Sequence, residues 1–376
     1  MTSVPGRHIV VAGIDVFRHK NLNKTRSLRV HGIRFTVLVM ERSEDSARTA
    51  MDEPNVRVVT CGGRFTRLRA LWALAVTLVT QRVDLIEIYP ESVISLWFYT
   101  LARLFRRPVV VVARGMEHRI AEGRTRGVRL AALGLVYRGA SVVVYNELYM
   151  KDVLSGLGAT RLEFLPNSIA LPPQVDRSGR IGCRFLYLNS MKAFRHPETA
   201  VAAFMQLAQE FPPDTAQLRV VGLRAQRGFE GNSERERRLW ELTRGGGGQV
   251  ELLPWTSDIQ QHLEWGDVFL LPAEIVFLNY ALLEAMGSGM PAIIQRTDGS
   301  SLIIDHGLDG MIVGSSEAEW LHAMRASVAS PVERCRQGAR ARRKIAQQFS
   351  SEASAVKWSE IYDRMTGRTD SEGVPS

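Results

Sequence analysis

The sequence predicts an α/β protein made of two doubly wound domains. Short runs of β-branched residues alternate with segments of helical spacing along most of the chain, and one proline-containing stretch near the middle interrupts the alternation. Apolar strands separated by helices are typical of a parallel sheet that is covered on both faces. With 376 residues, the chain is also long enough for two domains of ordinary size.

Six candidate strands lie in the first half, and each is a short apolar run. They are residues 8–13, 34–40, 56–60, 85–89, 109–114 and 141–146. Longer segments with helical spacing separate them, among them 64–82, 94–106 and 124–138. This order predicts βαβ units, whose strands pair in parallel.

Residues 163–180, EFLPNSIALPPQVDRSGR, break the alternation and are typical of a linker. Six further strands are expected after it, at 184–189, 217–223, 249–255, 267–273, 291–296 and 310–314. We assign residues 1–168 to an N-terminal domain, 169–348 to a C-terminal domain, 349–366 to a final helix and 367–376 to a disordered tail. Two such domains are expected to bind ligands in a cleft, beyond the carboxyl ends of their strands.

Composition argues against several classes of protein. Cys61, Cys183 and Cys335 form no CxxC pair, and the eight histidines show no HxxxH spacing, so neither a disulfide framework nor a metal site is expected. The longest apolar stretches are shorter than the roughly 20 residues of a membrane-spanning helix. The absence of GxGxxG and P-loop patterns argues against dinucleotide-dependent oxidoreductases and P-loop NTPases. A reducing cytoplasm is the expected location.

An anion site is predicted after the strand at 267–273. Asn279 is expected to cap a helix that begins near Tyr280, and the free N–H groups of that helix end would attract a diphosphate. Glu284 lies about one turn into the helix, where its carboxylate could bind the two hydroxyls of a ribose. The alternative is that Glu284 only interacts with the positive end of the helix.

A basic site is predicted in the loop after the strand at 184–189. Lys192 and Arg195 follow that strand, and Pro197 with Glu198 marks the start of the next helix. Two cations there suit a pyrophosphate leaving group, whose negative charge grows as its bond to a sugar breaks. The alternative is an ordinary solvated loop.

These motifs together resemble the retaining GT-B glycosyltransferases of family 4. The matching segments, in chain order, are FLPNSIAL, SMKAFRHPETAVAAF, QLRVVG, VELLPWTSDIQQHLEWGDVFLLPA, NYALLEAMGSGMPAIIQRTDGSSLIIDHGLDGMIV and FSSEASAVKWSEIYDRM. The resemblance implies a GT-B fold. In that fold two Rossmann-like domains face a central cleft, and the last helix crosses back to the N-terminal domain.

The resemblance also implies roles for individual residues. Glu284 would hold the donor ribose, Lys192 and Arg195 would hold the donor diphosphate, and Gly289 with Pro291 would shape the adjoining wall. The other donor-side positions are Asn279, Tyr280 and Ala281 near the phosphates and the transferred sugar, and Pro254, Trp255 and Thr256 near the base.

The sequence departs from the family pattern in several places, and two of them concern predicted catalytic and acceptor-side residues. Val276 stands where the first acid of the family's E-x7-E motif is expected, and Glu274 is the nearest acid that could take its catalytic role. On the acceptor side, Arg114 takes the position of a family histidine and Glu117 matches the family acid, with His118 next to it.

Three predicted helices rich in arginine and apolar residues give a clue to the kind of acceptor. Segments 64–82, 95–108 and 124–138 share this mixture, and the first places Phe65, Leu68, Trp72 and Val76 near one face. Either these helices face the core with solvated arginines, or they form a surface that rests on anionic lipid. The formal net charge of +9 fits both interpretations.

The preferred hypothesis is a retaining, hexosyl-type glycosyltransferase. It would move a sugar from a nucleotide diphosphate sugar, as co-substrate, to a glycan or lipid-linked acceptor in cell-surface polysaccharide or glycoconjugate synthesis. No cofactor, metal or nucleic-acid partner is expected. An anionic membrane surface is the further partner considered, and it would place the protein at the inner face of the membrane. The alternatives are a weakened GT-B scaffold that binds nucleotide sugars, and a sugar-nucleotide epimerase.

Overall fold

The computed structural model describes residues 6–15, 17, 19–40, 53–90, 92–114, 116–224, 234–244, 248–274 and 279–367, without the side chains of residues 19, 20, 116–118 and 193. The chain divides into two compact units, Met1–Pro166 with Ser351–Ser376 and Asn167–Ser350. Each unit is a parallel sheet with helices on its faces, which confirms the predicted pair of doubly wound α/β domains. Most of the tail predicted to be disordered, 368–376, lies outside the described residues.

The first unit contains seven parallel strands. They are β1 Arg7–Ile14, β2 Ile33–Val39, β3 Val56–Thr60, β4 Leu85–Ile88, β5 Val109–Ala113, β6 Val142–Tyr145 and β7 Leu162–Phe164. Their order in the sheet is β3-β2-β1-β4-β5-β6-β7. The six predicted strands are confirmed. The stretch predicted as a linker, however, overlaps the edge strand β7, which pairs with β6 and is too short to show alternation.

Helices cover both faces of this sheet. Those before the second unit are α1 His19–Ser27, α2 Thr66–Thr80, α3 Ile94–Leu104, α4 Met116–Ala121, α5 Gly127–Gly139 and α6 Met150–Gly156. One face is covered by α2, α3 and α5, which bury Leu74, Phe98 and Val136 against the strands. The other face is covered in part by α1 and a short 3-10 turn, which bury Leu22 and Leu28.

The second unit contains six parallel strands. They are β8 Cys183–Leu188, β9 Ala216–Leu223, β10 Val250–Pro254, β11 Val268–Leu271, β12 Ala292–Gln295 and β13 Gly310–Val313. Their order is β10-β9-β8-β11-β12-β13. All six predicted strands of this half are therefore confirmed, and β8 and β11 are neighbours at the centre of the sheet.

Helices connect the successive strands of the second unit, and two more helices follow its last strand. They are α7 Pro197–Leu207, α8 Glu234–Thr243, α9 Gln260–Trp265, α10 Tyr280–Gly287, α11 Ser300–Ile303, α12 Glu317–Ala329 and α13 Pro331–Gln348. The buried core on one face of the sheet includes Phe204 of α7 and Trp320 of α12. The loops at the edges of this sheet therefore stand on a well-packed layer.

The final helix, α14 Ser351–Thr366, belongs to the first unit. It completes the sheet face that α1 covers, where Trp358 and Tyr362 are buried. The ammonium group of Lys24, on α1, lies 3.4 Å from the centroid of the Trp358 ring. A cation over an indole face is attracted by the ring quadrupole, so this contact helps to hold α14 on the sheet.

A buried ion pair lies behind that contact. Lys24 donates to both carboxylate oxygens of Glu87 at 2.6 and 2.8 Å, and the hydroxyls of Tyr89 and Tyr362 donate to the same carboxylate. Burial lowers the pKa of Lys24 to about 8. Burial alone would raise the pKa of Glu87, but the charge and hydrogen bonds of Lys24 and the two tyrosines lower it overall. Lys24 of α1 is thus a structural cation in the core of the first unit.

The apolar face of α2 that the sequence singled out does not pack on the sheet. Phe65, Leu68, Trp72 and Val76 are exposed, so this face of the helix does not contribute to the core. The opposite side of α2, with Ala70 and Leu74, is buried instead. Among the described residues, no helix has the length and apolar character needed to cross a membrane.

Candidate functional site

The candidate site lies at the carboxyl edge of the second unit's sheet, where the loops after β8 and β11 meet. The backbone N–H of Glu274 donates to the carbonyl of Phe194 at 3.0 Å. The Nε2 atom of His196 lies 2.8 Å from Oε1 of Glu274. Because adjacent parallel strands end at the same edge, two segments that are about 80 residues apart in sequence become one surface.

Arg195 is the better placed of the two predicted cations. Its guanidinium group is partly buried and lies 5.1 Å from the centroid of the Phe194 ring. Its Nε and Nη1 atoms are buried and find no hydrogen-bond partner among the described residues. Burial lowers the pKa of Arg195, although arginine remains protonated in proteins. Unpaired buried donors are costly, so an anionic ligand would relieve the penalty. Lys192, by contrast, is exposed.

A third cation, Arg235 on α8, also reaches this loop and was not found in the sequence analysis. Its Nη1 atom donates to the carbonyl of Lys192 at 2.5 Å, and Nη2 lies 3.1 Å from Oε1 of Glu198. The α8 sequence, ERERRLWELT, contains three arginines. Only the tertiary contacts distinguish Arg235 from Arg237 and Arg238, which are exposed.

The start of α7 is shaped by the predicted signals and by one unusual residue. Pro197 begins the helix and Glu198 lies in its first turn, as predicted. His196 precedes them with φ 38°, in the left-handed region that non-glycine residues rarely adopt. The bond from His196 to Glu274 helps to hold this conformation, so the loop carrying Arg195 has a defined path.

The predicted cap of α10 is confirmed. The Oδ1 atom of Asn279 accepts a hydrogen bond from the backbone N–H of Leu282 at 3.3 Å. The hydroxyl of Tyr280 lies 3.2 Å from Oδ1 of Asn167, which belongs to the predicted linker motif. Ala281 is partly buried in the same turn. The remaining N–H groups of this helix end are the kind of donors that bind anions.

Glu284 lies one turn further along α10 and is partly buried. Burial raises its pKa from 4.5 to about 7, and no charge or hydrogen bond of a described residue offsets the effect. A buried carboxyl group without protein partners is destabilising unless a ligand supplies donors. Its position beside a helix N-terminus agrees with the predicted placement of an acid near an anion site.

The turn after α10 is held by a buried arginine. Arg177 donates to the carbonyl of Ser288 at 2.9 Å and to the carbonyl of Gly266 at 2.8 Å. Gly289 has φ 92°, which requires glycine, and a side chain on Gly338 would collide with its carbonyl at 2.1 Å. Pro291 follows and leads into β12. The predicted tight wall is therefore rigid, with Arg177 as a support that the linker pattern did not reveal.

The predicted base-contacting residues follow β10. Pro254 ends that strand, Trp255 is 68% exposed, and the hydroxyl of Thr256 accepts a hydrogen bond from the N–H of Asp258 at 3.0 Å. An exposed indole next to a sheet edge is available for stacking on a flat ring. Whether it contacts a base stays a prediction.

Close packing joins this edge to the loop with the basic residues. Gly222, at the end of β9, has φ 130°, and a Cβ there would lie 1.9 Å from the carbonyl oxygen of Asn189. Any side chain at this position would therefore displace the loop after β8. The carboxyl ends of β8 and β9 approach each other so closely only because this residue is glycine.

The residues predicted for the acceptor side lie in the first unit. The guanidinium carbon of Arg114 lies 5.3 Å from the centroid of the Tyr89 ring, so Arg114 stands near the buried Lys24–Glu87 cluster. The side chains of Glu117 and His118 lie outside the described residues, although their backbone forms part of α4. Val276 also lies outside them. Their predicted roles stay predictions.

A cavity of about 630 Å³ lies elsewhere in the first unit. It is lined by Gly6, Arg29, Gly32, Ile33, Arg34, Pro54, Asn55, Arg82 and Asp84. These residues are at the amino ends of β1 to β4, whereas ligands of doubly wound sheets bind at the carboxyl ends. We therefore do not assign this cavity to the donor. Among the described residues, no group of three His, Cys, Asp or Glu side chains is arranged to hold a metal ion.

Two family models match this chain. The "Glycosyl transferase 4-like domain" matches residues 22–168, and "Glycosyl transferases group 1" matches residues 182–329. Together they cover more than three quarters of the sequence. The chain belongs to the group 1 glycosyltransferases. The predicted family and its GT-B fold are thereby confirmed.

Solved structures share the fold of this glycosyltransferase. HepE from Anabaena, in complex with UDP, has a TM-score of 0.74 and 16% identity, over 95% of this chain and 100% of that chain. Sucrose-phosphate synthase from Thermosynechococcus elongatus has a TM-score of 0.72 and 18% identity, over 96% and 100%. At such identities the likeness shows the fold alone.

A short sequence match adds one relative. The Escherichia coli UDP-Gal:alpha-D-GlcNAc-diphosphoundecaprenol alpha-1,3-galactosyltransferase is 34% identical over 62 residues. The match spans only 16% of this glycosyltransferase and 16% of that protein.

Proposed function

We propose that this glycosyltransferase moves a hexosyl group from a nucleotide diphosphate sugar to a lipid-linked or glycan acceptor, with retention of the anomeric configuration. The observation that carries the proposal is the guanidinium group of Arg195. It is partly buried, two of its nitrogens find no partner among the described residues, and its loop touches the loop that leads to α10. A diphosphate supplies the acceptors that these donors lack.

The donor would bind along the carboxyl edge of the second sheet. Its diphosphate would accept from Arg195 and from backbone N–H groups at the start of α10, with the exposed Lys192 adding a further charge. Its ribose hydroxyls would donate to Glu284, which has no charged partner in the part of the chain that the structure describes. Trp255 would stack on the base.

In the transfer reaction these groups mainly need to supply positive charge at fixed positions. As the bond between the sugar and the diphosphate breaks, negative charge grows on the leaving phosphate oxygen. Arg195 and the helix N-terminus are held in place before the reaction, so they can stabilise that charge without reorganisation. We assign the role of the missing first acid to Glu274, whose carboxylate is oriented by His196 at the junction of the two loops.

Two comparisons support the choice of substrates. HepE was solved with UDP, and the Escherichia coli relative is named for a UDP-Gal donor and a diphosphoundecaprenol acceptor. A uridine nucleotide donor and a polyprenyl diphosphate-linked acceptor are therefore the first pair to test. Family resemblance supports retention, which implies that acceptor and leaving group share one face of the sugar.

The test is a transfer assay with UDP-galactose or UDP-glucose and a polyprenyl diphosphate-linked sugar. We expect release of UDP in equal amount to a glycosylated acceptor, and NMR of the product should show the anomeric configuration of the donor. An inverted product would refute retention but not transfer.

Two other outcomes separate the alternatives. Tight binding of the donor without release of UDP, over a panel of lipid-linked and soluble acceptors, would indicate a scaffold that binds nucleotide sugars. Conversion of the donor into another sugar nucleotide without any acceptor would indicate an epimerase. The Arg195→Ala variant serves as the control, because it should lose transfer while the second sheet still folds.

A further inference from the structure

The outer side of α2 is apolar although it faces solvent. Its exposed large apolar residues are Phe65 at the N-cap position, Leu68, Trp72, Val76 and Val79. With 3.6 residues per turn, all five fall within roughly 80° of the helix circumference. The opposite side, with Ala70, Leu74 and Leu78, packs on the sheet. This helix therefore has one apolar stripe for the core and a second one without a protein partner among the described residues of the first unit.

The two neighbouring helices extend the exposed stripe. On α3, Trp97 and Leu104 are 59% and 75% exposed, and on α5 Val128 and Leu135 are exposed. These pairs are seven residues apart, so each lies on one side of its helix. The hydroxyl of Tyr99 on α3 donates to the carbonyl of Gly139 on α5, which fixes the two helices side by side.

All three helices bury their inner sides in the same core cluster, so their exposed sides point away from the same sheet face. Of the eighteen exposed large apolar residues in the described part of the chain, ten belong to these helices and their N-cap residues. We call this surface the arginine-rich face, defined by the outer sides of α2, α3 and α5 and the arginines that flank them.

The charged side chains of these three helices are all positive. Segments 64–82, 94–107 and 124–138 contain eleven arginines and no Asp, Glu or Lys. The whole chain has 48 Lys and Arg against 39 Asp and Glu, so the remainder holds 37 basic and 39 acidic residues. The net positive charge of the protein therefore comes from these three segments alone.

We propose that the arginine-rich face docks on an anionic lipid bilayer. Exposed tryptophans beside arginines suit the boundary between headgroups and acyl chains, because an indole ring is amphipathic and an arginine can extend its charged end to the phosphates. A helix with such a surface lies in the interface plane, with its apolar side a few ångströms into the bilayer. The inference does not depend on the proposed transfer reaction.

Charge favours a lipid bilayer over a second copy of the chain as the partner of this face. A second copy of the chain would bring the same three helices against the first set, and these helices carry arginines but no acid, so like charges would repel. The acids beside the segments, Asp84 and Glu122, already pair with Arg82 and Arg124. An anionic headgroup layer supplies negative charge over the whole area. Three helices on one face also offer several separated contacts, as a flat bilayer requires.

The test is co-sedimentation of the full chain with lipid vesicles. Vesicles that contain phosphatidylglycerol should bind it at low salt, and vesicles of phosphatidylcholine alone should bind it poorly. Raising the salt concentration should weaken binding, because the Debye length falls to about 3 Å at 1 M. Phosphatidylcholine that carries brominated acyl chains, mixed with phosphatidylglycerol, should quench tryptophan fluorescence if Trp72 and Trp97 enter the interface.

Two variants remove the two parts of the surface separately. Replacing Arg64, Arg103 and Arg106 with Gln should lower the partition coefficient on the order of 100-fold, since each arginine near an anionic surface contributes about fivefold. Replacing Trp72 and Trp97 with Gln should abolish the quenching and leave a weaker, purely salt-sensitive association. All five side chains are exposed, so the unfolding temperature should stay unchanged.

Control variants make the same kinds of change outside the arginine-rich face. Replacing Arg237, Arg238 and Arg343, all exposed in the second unit, removes three charges elsewhere and should leave binding close to that of the wild type. Ile181→Gln removes an exposed apolar side chain outside the face.

The proposal is overturned if the wild type ignores phosphatidylglycerol vesicles at low salt. It is also overturned if both arginine triplets weaken binding equally, because binding would then reflect net charge alone. Self-association in sedimentation velocity that Trp72→Gln abolishes, without any binding to vesicles, would assign the face to a second copy of the chain. Each of these results leaves the proposed transfer reaction standing.

Discussion

The burial of Glu284 predicts that donor binding depends on pH around neutrality. Its pKa is raised from 4.5 to about 7, which corresponds to about 3 kcal/mol against the charged form. Ribose hydroxyls donate to a carboxylate, so the bound state favours the ionised group. Below its pKa the carboxyl group must lose its proton before it binds, and the apparent affinity should fall about tenfold per pH unit.

Isothermal titration with an intact nucleotide sugar tests this expectation, because its diphosphate does not titrate near neutrality. The dissociation constant should be several-fold to tenfold lower at about pH 8 than at about pH 6. At the lower pH, binding should release protons, and buffers of different ionisation enthalpy would reveal them. Glu284→Gln should bind more weakly at the higher pH by about 1–3 kcal/mol and should lose the pH dependence.

The same group makes a separate prediction about stability. A carboxyl group whose folded pKa is raised contributes most stability below pH 4.5, and loses it as the pH rises through about 7. Glu284→Gln should therefore flatten the decline of stability over that range, by at most about 3 kcal/mol. Glu241→Gln, an exposed acid on α8, is the matched control and should change neither property. A wild-type affinity that is flat with pH, together with a variant of unchanged affinity, would remove Glu284 from the ribose site.

Three further expectations concern the chemistry and the core. Arg195→Ala should lower kcat on the order of 100-fold with a smaller change in KM, and Lys192→Ala should have a weaker effect because its side chain is exposed; equal, wild-type kcat values would exclude the leaving-group role. Treatment with EDTA should leave activity largely intact, and complete loss that magnesium or manganese restores would reveal a metal site. Glu87→Gln should destabilise the first unit by about 3–5 kcal/mol in urea unfolding, because it leaves Lys24 buried without its counter-charge; a loss under 1 kcal/mol would contradict that pairing.

Local sequence was sufficient for the regular elements and for the cap of α10. The twelve predicted strands are runs of apolar and β-branched residues, and such runs form buried parallel strands whatever their partners. Asn279 and Pro197 act within one helical turn of their own position, so their roles could be read from their neighbours in sequence. Family resemblance then linked Glu284, Lys192 and Arg195 to one ligand.

The structure decided everything that depends on contacts between distant segments. The pairing of β7 with β6, the approach of Arg235 to Lys192 and the burial of Lys24 against Glu87 each join residues whose local sequence is unremarkable. No periodic pattern or motif predicts these three contacts, because the two partners of each contact lie far apart in the sequence.

The clearest example is α2. Its sequence determines that two apolar stripes run along opposite sides of one helix, since spacing sets the angle between side chains. It does not determine which stripe packs on the sheet, because that choice depends on how well each side fits the strands. Small and medium residues around Leu74 face the sheet, and the bulky Trp72 remains outside. Only packing against β1 and β2 could settle this, and with it the surface on which the membrane proposal rests.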